Sequence, residues 1–147
     1  MNKIVITGMG AVTPIGIGVD EYWNGLVSGV HGIGKITRFD ASALPVQIAA
    51  EVKGFDATEH MPRKLAREMD LFMQYGYVAA EEAMQDADLH PDDPEARTVP
   101  AERIGIVVGT AFAGIATIAD TQNSISTGAQ SKVSPRFVPK VIGNIAA

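Results

Sequence analysis

The sequence contains no cysteine, which excludes a disulfide, a thiolate metal site and a cysteine nucleophile anywhere in its 147 residues. It has no apolar run approaching the roughly 18 residues of a membrane span. The segment from Met1 to Thr7 carries one positive charge on too short an apolar stretch for a signal peptide. A cytoplasmic protein with no membrane partner is therefore expected. Positive charge is not in excess: a net charge of -5 gives no overall field to attract nucleic acid, so none is expected as a partner, and an acidic partner must be met by a local basic patch. The three histidines, His31, His60 and His90, are scattered without metal-ligand spacing. There is no Gly-x-Ser-x-Gly elbow and no recognisable pairing of histidine with a hydroxyl, which argues against a self-contained hydrolase. Internal repeats, low-complexity segments and flexible linkers are absent as well.

What is present is the composition of a packed domain, 46% hydrophobic and 20% charged with the signs interspersed. Lys3 to Thr7 is a β-branched run closed by Gly8 and Gly10, which predicts a central strand buried on both faces. Asp20 then precedes a helix reaching Val27, with Tyr22, Trp23, Leu26 and Val30 at helical spacing and Gly29 and Gly32 to end it. Val46 to Val52 predicts a second strand. From Arg63 to Ala87, behind Pro62, neither proline nor turn cluster intervenes, so the pattern predicts one long, deeply buried helix; Gly76, Ala79, Ala80 and Ala83 on it would permit close approach of a neighbour. His90 to Pro100, with three prolines, reads as a surface connection. Ile104 to Gly109 predicts a third strand, followed by helix-compatible content from Ala111 to Ile125. Two prolines keep Ser134 to Pro139 from forming a long helix, while Val141, Ile142 and Ile145 behind them look like an opening turn. Strand alternating with helix predicts an α/β fold with a sheet covered on both faces. Ending inside an apolar element, the chain is expected to be truncated.

Three motifs carry candidate chemistry. Gly8-Met9-Gly10-Ala11-Val12-Thr13 has the look of a nucleotide-binding turn, yet Thr13 replaces a third glycine, Pro14 interrupts the helix entry and no acid ends the second strand. Glycines turning the chain sharply at a strand end are the better reading. Arg63, Lys64 and Arg67 put positive charge where the helix dipole disfavours it, which fits either a solvated face or a dock for an acidic, phosphate-bearing carrier. Gly109-Thr110-Ala111-Phe112-Ala113-Gly114 follows a predicted strand, at the end where open α/β sheets place ligands; Phe112 is a pocket wall or ordinary core, and Phe137 carries the same ambiguity. Glu81-Glu82 and Asp92-Asp93 read as solvated surface.

Taken in order, Val5 to Gly10 with Thr13-Pro14-Ile15-Gly16, Arg38-Phe39-Asp40, Met69-Asp70 with Gln74-Tyr75-Gly76, and Ser134 to Pro139 resemble the β-ketoacyl-acyl carrier protein synthases, the elongating condensing enzymes of type II fatty-acid synthesis. The resemblance runs through residues 1-147 and implies a thiolase-like α/β fold of layered αβαβα architecture, of which this chain is most of the first half. It implies a homodimeric acyltransferase that takes an acyl group from its carrier onto a cysteine, then condenses it with malonyl carrier protein through decarboxylation while two histidines stabilise the developing charge. No cofactor is implied beyond the phosphopantetheine on which acyl carrier protein delivers its acyl groups. In the family the cysteine follows shortly after the segment where this chain ends, so no catalytic residue is expected in it and the chain alone should be inactive.

By the same resemblance, Gly109, Phe112 and Phe137 look like acyl-pocket residues, with Phe137 near the dimer contact, and Arg63, Lys64 and Arg67 fall where the family presents basic side chains to the carrier. Glu68 stands where a further basic residue is common, Phe112 where relatives often have a smaller aliphatic side chain, and the stretch from Pro91 to Glu102 is longer than usual. Two other classes are open to the same sequence: a non-catalytic chain-length partner subunit of a polyketide synthase, and a nucleotide-binding domain.

Overall fold

Helices arise close to where apolar spacing predicts them. The computed structural model, which describes residues 3-147 apart from 91, 92, 94 and 97, contains α1 (Val19–Val27), α2 (Arg63–Glu68), α3 (Leu71–Asp86), α4 (Ile115–Ser126) and α5 (Phe137–Val141). Helices α1, α3 and α4 close with the same device. The N–H groups of Val30, Leu89 and Ala129 reach back to the carbonyls of Gly25, Met84 and Ser124, and the residue before each lies in the left-handed region: Gly29 (φ 66°), Asp88 (φ 55°) and Gly128 (φ 76°). Glycine does this without penalty, whereas Asp88 bears a cost on the order of 1 kcal/mol.

The strands depart from expectation. Among the described residues β1 (Val12–Thr13) pairs antiparallel with β2 (Gly16–Ile17), and β3 (Ile33–Lys35) with β4 (Ile48–Ala50). The last lies inside the predicted Val46 to Val52 strand. Lys3 to Thr7 and Ile104 to Gly109 are not strands: among the described residues no ladder partner engages them, and Ile4 and Val107 are 96% and 98% exposed. A β-branched run favours a pleated, half-buried surface, and that preference yields a strand only where a partner completes the hydrogen bonds. The chain is mixed helix and sheet, and among the described residues two antiparallel pairs stand where a sheet covered on both faces was expected.

Two compact units divide the chain, Met1–Asp56 with Val78–Ala96, and Ala57–Tyr77 with Arg97–Ala147. In the first, the segment entering β1 lies along the second half of α3. A Cβ on Gly8 would fall 2.1 Å from the Ala83 carbonyl oxygen, and one on Gly10 would fall 1.9 Å from that of Ala79. Glycines two apart meet alanines four apart because two extended residues advance about 6.6 Å and four helical ones about 6 Å. Between these approaches Met9 N–H donates to Asp86 Oδ2 (3.0 Å) and Ala11 N–H to Glu82 Oε2 (2.9 Å). Glu82 Oε1 also accepts Val19 N–H at 2.7 Å, closing the start of α1. Gly8 and Gly10 have no positive φ and serve close approach rather than a sharp turn. Ala79 and Ala83 accept that approach, but Gly76 is exposed with nothing near its Cβ position. Glu82, expected on the solvated surface, is half-buried and fastens two backbone segments.

In the second unit the single long helix predicted from Arg63 to Ala87 is broken. Met69 is extended (φ -90°, ψ 146°), so α2 ends at Glu68 and α3 starts anew after Asp70. Asp70 is buried, accepts Phe72 N–H at 3.5 Å as a cap, and receives a hydrogen bond from the Thr117 hydroxyl on α4. An aspartate that bonds the backbone ahead of it competes with helix continuation. Gln74 Nε2 donates to the Ala66 carbonyl (2.8 Å), satisfying an acceptor that the interrupted α2 leaves open. Among the described residues the buried apolar side chains of this unit are Ala57, Met61, Ala66 and Met73, and those of the first are Ala41 and Val78.

Candidate functional site

The loop that carries Gly109 and Phe112 is shaped by its own threonine. Ala113 N–H donates to Thr110 Oγ1 (3.1 Å), and Ala113 takes φ 47°, a conformation costing about 1 kcal/mol for an L-residue that surrounding packing must hold. That packing comes from α5 and the turn after it. Gly114 is buried with the Lys140 carbonyl oxygen 2.2 Å from where a Cβ would stand, and a Cβ on Gly143 would meet Thr110 Cγ2 at 2.6 Å. The loop of Phe112 and the helix opened by Phe137 are thereby seated on each other. Phe112 itself is 73% exposed, Phe137 is half-buried and Gly109 is exposed.

The basic residues predicted as a dock, Arg63, Lys64 and Arg67, are all exposed on α2. The Asp70–Thr117 hydrogen bond ties the junction behind this helix to α4, whose start is the candidate loop. Beside the basic residues, Glu68 Oε1 lies 3.7 Å from a guanidinium nitrogen of Arg136, the residue before Phe137. Sequence reasoning missed Asp70, Thr117 and Arg136 as members of this neighbourhood. An aspartate directly ahead of an apolar helical run is a cap signal that would have found the first; nothing local announces the other two.

In the first unit the glycine pair borders an open hollow of about 690 Å³ with Met9, Tyr22 and Trp23 on its walls. Asp20 lines it too, and the Glu82 carboxylate already takes the Val19 N–H that an anion at the α1 start would need, so the hollow does not suit a phosphate. Two acids nearby in sequence are held ionised. Hydrogen bonds from Ser42 keep Asp40 below the usual carboxylate range, and those from Thr37, led by its hydroxyl (2.7 Å), do the same for Glu51, which also accepts the N–H groups of Thr37 and Arg38. Among the described residues, no three histidine or carboxylate side chains gather as a metal site, and no helix is long and apolar enough to cross a membrane.

The whole chain, residues 1–147, matches the family model described as "Beta-ketoacyl synthase, N-terminal domain". It belongs to the β-ketoacyl synthase family. A 3-oxoacyl-(acyl-carrier-protein) synthase 2 of Synechocystis sp. is 39% identical over 146 residues, which are 99% of this chain and 34% of that protein. A solved β-ketoacyl synthase from Burkholderia phymatum superposes with a TM-score of 0.77 at 25% identity, covering 100% of this chain and 35% of that one. The ishigamide ketosynthase/chain length factor gives 0.75 at 29% identity over 97% of this chain and 34% of that one. This β-ketoacyl synthase chain thus spans about a third of the length of the relatives it matches. The motifs from Val5 to Pro139 identified the family correctly.

Proposed function

We propose that this domain supplies the acyl pocket and the carrier dock of an elongating condensing enzyme, one that extends acyl-acyl carrier protein by decarboxylative condensation with malonyl-acyl carrier protein. The thiolase-like layering, homodimeric state, cytoplasmic location and freedom from any resident cofactor belong to the same proposal. So does the assignment of residues 1-147 to the part of the enzyme that precedes the nucleophile. The chain's lack of cysteine requires the thiolate to come from elsewhere in the enzyme. That thiolate attacks the acyl thioester and expels the carrier thiol. Loss of carbon dioxide from the malonyl group then gives a carbanion that forms the new carbon–carbon bond and releases the thiolate. Gly109, Phe112 and Phe137 would line the acyl chain, while Arg63, Lys64 and Arg67 would hold the acidic carrier.

One observation carries this reading: Gly114 and Gly143 seat the Phe112 loop against the Phe137 helix, in the same unit as the exposed basic helix α2. The name of the Synechocystis relative supports the elongating activity. In the complete enzyme, Phe112→Ala should lengthen the preferred acyl chain; an unaltered product spectrum returns Phe112 to ordinary packing. Lys64→Glu with Arg67→Glu should weaken carrier binding more at low salt than at high salt. A second reading, a non-catalytic chain-length partner subunit, is favoured by the likeness to a ketosynthase/chain length factor. The residue at the nucleophile position of the complete gene separates the two.

A further inference from the structure

We propose that Arg136, tethered by Glu68, is a specificity-determining part of the carrier dock, supplying from the segment ahead of α5 a positive charge that α2 lacks at Glu68. This rests on the docking reading above. On a helix, residues three and four apart are neighbours, so Lys64, Arg67 and Glu68 share one patch of α2. Left to itself, the Glu68 carboxylate would offset one of the two cations and repel an acidic partner. The Arg136 guanidinium, 3.7 Å from Glu68 Oε1, brings a third cation to that patch. At that distance the pair is an ion pair rather than a tight hydrogen bond, and the Arg136 side chain remains 56% exposed. Its planar fork therefore keeps donors free for a carboxylate or phosphate.

The backbone beneath it is fixed. Arg136 N–H donates to Ser134 Oγ (3.1 Å), Pro135 precedes it, and α5 begins at the next residue. Glu68 thus acts as a positioning residue: it holds a flexible side chain over the basic patch and reduces the freedom lost when a carrier binds. An exposed pair contributes at most about 1 kcal/mol to folding, so its removal should leave the enzyme folded.

The test titrates holo-acyl carrier protein against the complete enzyme at low and high salt. Arg136→Ala should weaken binding about fivefold at low salt and less at high salt, with Arg136→Gln doing the same should the alanine variant fold poorly. In a Glu68→Lys background the same Arg136 change should cost less than about twofold, because α2 then provides the charge itself. Unchanged affinity for Arg136→Ala, alongside weakened binding for Lys64→Glu with Arg67→Glu, overturns the role of Arg136 and leaves the dock standing. Equal losses in both backgrounds overturn the link to Glu68. If the α2 double variant also binds normally, the docking reading itself falls.

Discussion

In the first unit the carboxylates of Glu51, Glu82 and Asp86 accept backbone N–H groups, whereas the second leaves Arg63, Lys64 and Arg67 exposed on α2. Both strand pairs lie in the first unit; the candidate loop and both candidate aromatic residues lie in the second. The second unit has one buried carboxylate of its own, Asp70, which caps α3 and takes the Thr117 hydroxyl, while its cations on α2 face solvent. Carboxylates can accept the backbone N–H groups that the first unit leaves open, whereas the cations of α2 have no acceptor to offer them.

The largest expected effects probe the close approaches that each unit depends on. Gly10→Ala in the first and Gly114→Ala in the second each place a methyl about 2 Å from a carbonyl oxygen, and each should cost about 3 kcal/mol in urea unfolding. Losses under about 1 kcal/mol would show the approaches to be adjustable. Only the second should also disturb acyl selectivity in the complete enzyme. Next, Glu82→Ala removes an acceptor from two backbone N–H groups, an expected loss of about 2 kcal/mol, while Thr117→Val removes one donor from buried Asp70, about 1 to 2 kcal/mol. A larger loss at Thr117 would reverse the contrast, making the second unit the more dependent on a carboxylate.

Smaller still is Gly76→Ala, which meets nothing within 4 Å and removes a flexible residue from the interior of α3. It should stabilise by about 0.5 to 1 kcal/mol, and a loss would mean that an unseen neighbour needs that space. The pH effect comes last. Because Glu51 is held below its ordinary value, its contribution is present above that value and fades as pH falls through the lowered folded one. Glu51→Gln should therefore lower stability at neutral pH and converge on the wild type in acid, and a difference that persists undiminished at the lowest pH would remove the Thr37 interaction as its cause.

Helix positions were legible because their signals are local: apolar spacing placed α1 and α4 within a few residues, and Gly29 marked the end of α1 by its left-handed turn. Family membership was legible as well, since short motifs in a fixed order survive without knowledge of their contacts. The break at Met69 and Asp70 had a local signal in the capping aspartate, but its tie to Thr117 is remote in sequence and left no mark there. The strand failures share that cause. Lys3 to Thr7 and Ile104 to Gly109 have the composition of strands, but pairing is supplied by another segment and cannot be read from the run itself.

By itself, then, the sequence determined the helical periodicity, the helix-ending glycines, the absence of a thiol and the family. Tertiary structure alone decided that Glu82 bonds Ala11 and Val19, that Gly8 and Gly10 lie against α3, and that Arg136 reaches Glu68. Propensity and capping act over a few bonds, while a hydrogen bond or a steric approach between distant residues exists only once the chain has brought them together.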